Sequence, residues 1–406
     1  MKKKICILLL GALLMLTSCI QKPENDILQT EDGTDQEVSI VPNYKLSEEN
    51  YRMILPYRPS RARGVIVNQM TNRMDINEIE TGLRRLSTSV FDPEQYYFEE
   101  GQNLGESLIY QWLGRQLTEE QLEQAVDNEI SRLKREQRTV NEDAIRAELQ
   151  AGLNPPIENN QDEDEQRGNP RYVSHILEHN FLEKKDDDSI TLRGISLAIA
   201  LKSVYRFQTE TGGPYLYEKL PDNEVMSQGK EIAQTVLERV RAMEGLENIP
   251  IMIALYKEQE QGSPIPGNFI AMTTVSGNEN QIEGWEDVNE KNVLFPSDEA
   301  KEDHVDDSEV LQSFGQDIAE YFPNYVGYIG QGFYVDDNLR KLTIEIPLEF
   351  YSAGEIIGFT QYVYGVVLKN FSDSFDLEIK ITSSNQVESF IYREAGQEEP
   401  TVHVFH

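Results

Sequence analysis

Apolar residues in the first half of this chain recur mainly at helical spacing. Ile76, Ile79, Leu83 and Leu86 make one face, with Asp75 as the expected cap and Glu78 three residues on. Thr118-Glu119-Glu120-Gln121 is a capping box, and Leu122, Val126, Ile130 and Leu133 stripe the helix that it opens. Asn141 to Leu149 predicts a further short helix, stopped by Gly152 and Asn154-Pro155-Pro156. Between these elements, Gly64-Val65-Ile66-Val67 reads as a short strand.

The second half mixes periods. Ile190, Leu192, Leu197, Ile199 and Leu201 suggest strands around a turn at Arg193-Gly194. Ile232, Val236, Val240 and Met243 mark a helix ended by Gly245, followed by a buried strand at Ile251 to Tyr256. Leu311, Phe314, Ile318 and Phe322 predict another helix. From Tyr325 onward strand signals dominate: Leu342, Ile344, Ile346 and Leu348 alternate with polar residues, and more strands are expected at Phe359 to Leu368, Leu377 to Thr382 and Glu388 to Arg393. The fold class expected is α+β, an antiparallel sheet with helices packed on one face, preceded by a signal peptide and a flexible tether.

The leader sets the organisation. Lys2, Lys3 and Lys4 precede an apolar run from Ile5 to Leu16, and Leu16-Thr17-Ser18-Cys19 follows. This is a secretory signal, far shorter than the roughly 20 apolar residues of a membrane span. Leu-Thr-Ser-Cys matches a bacterial lipobox, with cleavage between Ser18 and Cys19 and a diacylglyceryl on Cys19. Two acyl chains suffice to hold a soluble body to a bilayer. The expected division is 1–18 signal peptide, 19–43 lipid-anchored flexible linker, 44–157 an N-terminal α+β region with a charged helical segment, 158–170 a disordered acidic loop, and 171–406 a C-terminal α+β region. A flexible tether of that length reaches roughly 25–30 Å.

Composition narrows the partners. The 406 residues carry 37 Lys and Arg against 71 Asp and Glu, a net charge of −34. Nucleic acid is excluded as a partner, because its phosphates must be met by Lys and Arg. Only two cysteines are present; Cys6 leaves with the leader and Cys19 takes lipid, so no disulfide remains.

The sharpest catalytic pattern is His175-Ile176-Leu177-Glu178-His179. H-x-x-E-H on a helix sets two zinc ligands one turn apart with a Glu to activate water. It makes a zinc-dependent hydrolase the enzyme alternative, beside the plainer reading of a helix with Ile176 and Leu177 inward. No nucleophile triad, phosphate-binding loop or EF-hand spacing is present. The body is therefore expected to be no enzyme and to hold no cofactor or metal. Gly262 to Phe269, with two prolines, either rims a cleft or connects two strands tightly.

The chain resembles the CamS family of sex-pheromone lipoprotein precursors of low-GC Gram-positive bacteria. The resemblance rests on Arg63-Gly64-Val65, Asp75 to Leu86, Tyr96 to Gln102, Ser174-His175-Ile176-Leu177-Glu178, Ala254 to Lys257, Pro266-Gly267-Asn268-Phe269, Gly358 to Gln361 and Arg393 to Gly396. It implies a lipoprotein on the extracytoplasmic face of the cell membrane, with lipoprotein diacylglyceryl transferase and signal peptidase II as processing partners. It also implies that the segment before the lipidated cysteine, here Ala12, Leu13, Leu14, Met15, Leu16, Thr17 and Ser18, is released as an apolar mating peptide. The family supplies no catalytic residues to carry over. The body is expected to be a binding or interaction module, with a solute-binding lipoprotein as a further alternative.

Overall fold

The computed structural model describes residues 26–30, 38–41, 50–70, 72–185, 189–322, 325–349, 352–383 and 386–405. Strand pairing sorts them into two sheet-centred units. The first is a nine-stranded sheet built on the long strand Ser189–Leu201. That strand pairs antiparallel with Val173–Lys184 and parallel with Ile251–Lys257. Asn268–Val275 and Glu286–Asp287 extend the sheet on one side, Tyr97–Glu100 and Arg52–Met53 on the other. The second sheet runs in chain order through Glu290–Phe295, Ile329–Val335, Asn338–Pro347, Asp376–Ser383, Gln386–Arg393 and Thr401–Val404. Only its central pair, Asn338–Pro347 with Asp376–Ser383, is parallel, because the helix Ala353–Asn370 crosses between those strands. The fold is α+β.

Both faces of the first sheet are buried. On one, Ile195, Leu197, Ile199 and Leu201 join Ile251, Ile253 and Leu255 under the helix Asp222–Arg241, which contributes Val225, Val236 and Val240. On the other, alternation places Ser196, Ala198, Ala200 and Ala254, small residues that let the helix Arg73–Ser87 lie close. The Ser87 hydroxyl donates to Ser196 Oγ at 2.8 Å across this contact. The second sheet is covered on one face by Val305–Tyr321 and Ala353–Asn370, through Phe314, Ile318, Phe359 and Val363.

Several local expectations change. Val65–Gln69 is a helix, entered through Gly64 at φ +95°, a conformation costly for a β-branched residue. Ser189–Leu201 runs unbroken through Gly194; the glycine leaves room for the Phe91 ring, against which any Cβ would collide. Phe359 to Leu368 belongs to the helix Ala353–Asn370, capped by Ser352, whose hydroxyl accepts from Glu355 N. Its valines and aromatic residues suggested a strand, yet Ile356, Phe359, Val363, Val366 and Val367 share one helical face. The cap of Arg73–Ser87 is Asn72, and Asp75 is fully buried.

The expected division at 158–170 also changes. Tyr97–Glu100 pairs with Val173–Lys184 across that boundary, and the sheets change between Asp287 and Glu290. Within the expected loop, Glu163–Gly168 is a helix capped by Asp162. It is anchored by buried Gln166, which accepts from Tyr205 Oη at 2.6 Å. In the expected linker, Asp26–Thr30 pairs with Val38–Val41, and Gln29 and Thr30 add parallel to Ser189 and Ile190. The leader and Cys19 lie outside the described residues.

Candidate functional site

His175 to Glu178 lies at the heart of the first sheet, but on a strand. Within Val173–Lys184 the register from His175–Ala200 to His179–Ser196 is unbroken, so side chains alternate. His175, Leu177 and His179 face the helix Arg73–Ser87; Ile176 and Glu178 face the opposite way. Four residues of strand separate the two histidines by about 13 Å of backbone. A zinc ion needs its two nitrogens within roughly 4 Å of each other, at Zn–N distances near 2.1 Å. The helical zinc reading of His175, Glu178 and His179 is therefore corrected: the spacing that suits a helix separates them on a strand. No group of three or more metal-ligating side chains forms among the described residues.

Glu178 has a different task. Its carboxylate accepts from Leu104 N at 2.7 Å, Asn103 N at 3.1 Å, Gln102 N at 3.2 Å and Asn103 Nδ2 at 2.5 Å. Burial raises its pKa, and these donors oppose the rise. It holds the loop after Tyr97–Glu100 against the sheet, as a buried carboxylate does when its lone pairs are filled.

The two histidines line a cavity of about 350 Å³. Its floor is the sheet face with Leu177 and Phe98, and its wall is Ile66 with Glu80 and Arg84 from Arg73–Ser87. The segment Tyr57 to Gly64 closes it. Glu100, opposite His179 in the register, is spent there, accepting from Tyr57 Oη at 2.5 Å and Ser60 N at 2.6 Å. His175 and His179 are 2 % and 3 % exposed, and burial pushes both pKa values down to about 3, so each ring is neutral. The Nδ1 atom of each is buried without a hydrogen-bond partner among the described residues. Phe98 meets the His179 ring edge-on at 4.8 Å.

A match to the family described as CamS sex pheromone cAM373 precursor runs over residues 57–399. The chain belongs to this family. It is similar to the sex pheromone precursor of Lactobacillus salivarius, at 27% identity and a TM-score of 0.77, covering 91% of this chain and 99% of that one. It is also similar to the C-terminal domain of the sex pheromone staph-cAM373 precursor of Staphylococcus aureus, at 29% identity and a TM-score of 0.66, covering 83% and 98%. None of the curated proteins matches.

Several of the segments on which the resemblance rests meet in space. Glu178 binds the loop that follows Tyr96 to Gln102. Asp75 accepts from Gly267 N at 2.6 Å and Tyr256 Oη at 2.7 Å, joining three of the quoted segments. Gly262 to Phe269 is thus the tight connection between Ile251–Lys257 and Asn268–Val275, pinned further by Asn72, whose Nδ2 donates to Ser263 O. Beside Asp75 lies a group that pattern reading missed. Glu258 is buried, accepts from the Ser174 hydroxyl, and has its pKa raised to about 7 by burial, with Asp75 adding and Lys202 opposing. Nothing in the local sequence Lys257-Glu258-Gln259 marks it, since a carboxylate in an acidic chain is ordinarily solvated.

No helix among the described residues is long and apolar enough to cross a membrane. Ala12 to Cys19, the expected peptide and lipidation site, lie outside the described residues.

Proposed function

We propose that this CamS-family chain is an extracytoplasmic lipoprotein, held to the cell membrane by a diacylglyceryl group on Cys19. Its body is a binding module rather than an enzyme, and takes its ligand in the cavity over His175 and His179. The leader supplies a second product: signal peptidase II cuts between Ser18 and Cys19, and trimming releases Ala12 to Ser18 as an apolar signalling peptide. The observation that carries the anchor is the lipobox Leu16-Thr17-Ser18-Cys19 behind a basic, apolar leader, in a chain belonging to a family of pheromone precursors. Seven uncharged, mostly apolar residues suit an apolar receptor groove. The acidic body, at −37 once the three leader lysines are removed from a chain of −34 overall, is repelled by an anionic leaflet and stands off on the residues that follow Cys19.

The test is mass spectrometry of the membrane fraction and the culture medium, wild type beside Cys19→Ala. The expected result is diacylglyceryl on Cys19 in cells and the heptapeptide in the medium, both lost in the variant. Lipid without peptide removes the signalling half; an unlipidated, freely released wild-type protein overturns the anchor.

A further inference from the structure

The cavity over His175 and His179 holds more hydrogen-bonding capacity than the protein uses. Glu100 and Glu178 are fully engaged by their own neighbours. At the rim, the Arg63 and Arg84 guanidiniums make no direct hydrogen bond or ion pair with the described residues; Arg84 lies over the Phe98 ring at 5.9 Å, and both act on the Glu80 carboxylate at longer range. Inside, two imidazoles more than nine-tenths buried line the cavity, and the buried Nδ1 atom of each has no partner among the described residues. A buried polar atom left unpaired is unfavourable, and native proteins fill such positions with water or ligand. The remaining lining, Met53, Ile66, Phe98, Leu104 and Leu177, is apolar, and about 350 Å³ falls in the range of small-molecule sites.

We propose that this cavity binds a small amphiphilic carboxylate with an internal amide, the chemistry shared by N-acylated apolar amino acids and peptide C-termini. The carboxylate meets Arg63 and Arg84 at the rim, where a guanidinium fork matches two carboxylate oxygens. The apolar side chain covers Leu177 and Phe98, and the amide reaches the neutral His179 ring, which packs edge-on to Phe98. Glu80 and Glu100 on the same rim select a single negative charge over a doubly charged phosphate. This rests on the reading of the body as a binding module at this cavity.

The test uses the full-length chain in lipid nanodiscs, with imidazole resonances of His175 and His179 followed by NMR. The probes are N-acetyl-leucine, its neutral amide N-acetyl-leucinamide, and the tripeptide Leu-Met-Leu. A shift of the His179 ring by N-acetyl-leucine, weakened about tenfold or more by the amide and by Arg63→Met or Arg84→Met, supports the proposal. Arg63 is exposed, so its variant keeps the fold intact. Tighter binding of the tripeptide identifies a peptide end as the source; tighter binding of N-acetyl-leucine identifies a free acyl amino acid. Equal binding of acid and amide overturns the carboxylate assignment and leaves the binding cavity standing. No shift with any probe at millimolar concentration overturns both.

Discussion

Glu258 turns burial into a pH dependence that can be measured. Its carboxyl sits between Ser174, Lys202 and Asp75, and burial raises its pKa from 4.5 to about 7. A carboxyl whose folded pKa is raised binds its proton more tightly in the native state than in the unfolded chain. Its contribution to stability is therefore complete below about pH 4.5 and is lost as pH rises through about 7. The shift corresponds to about 3 kcal/mol between those limits. Glu258→Gln keeps an oxygen to accept from the Ser174 hydroxyl and carries no charge to desolvate. The variant is expected to match wild type near pH 4.5 and to exceed it by about 3 kcal/mol at pH 8, or about 5–10 °C in melting temperature. Asp75 shifts in the same direction for the same reason and is coupled to Glu258, so the difference reads Glu258 together with its effect on Asp75. The assay is thermal unfolding followed by near-ultraviolet circular dichroism at intervals from pH 4.5 to 8. A difference between the proteins that does not change with pH, or a variant less stable at pH 8, refutes the reasoning.

Two further perturbations test the contacts that shape the cavity and join the sheets. Glu178→Gln replaces a carboxylate serving four donors from residues 102–104 with a group that offers one oxygen and turns an amino group toward them. It is expected to destabilise by about 2–4 kcal/mol in urea unfolding, with early proteolysis at the loop 101–105; an unchanged midpoint contradicts the role of Glu178. Arg85 holds Glu290 through two bonds, at 3.0 and 2.8 Å, and Glu78 at 2.8 Å, while stacking over Phe333 at 4.5 Å. Arg85→Met is expected to cost about 1–3 kcal/mol and to speed amide exchange in Glu290–Phe295 while leaving Ala353–Asn370 unchanged; equal acceleration in both segments refutes a local linking role.

What the sequence determined by itself is what forms within a turn or two of the chain. Thr118 caps its helix with Gln121 in the reciprocal arrangement that their spacing predicts, and Asn141 caps the next. Stripes such as Leu122, Val126 and Leu133 pack where their period placed them, because an exposed helix shows its polarity contrast in full. Tertiary structure decided the rest. His175 to His179 fits a helix as well as a strand by spacing, and Val173 to Leu182 is buried on both faces, which erases the alternation that would have marked it. Val65 to Val67 and Phe359 to Leu368 are rich in β-branched residues, yet packing on the sheets sets them as helices. The cavity, too, was beyond sequence. It joins residues from five separate segments, and its unpartnered imidazoles exist only because a central strand carries them inward beneath the helix Arg73–Ser87, far earlier in the chain. Asp75 likewise meets Gly267, 192 positions away, through a contact that no local pattern encodes.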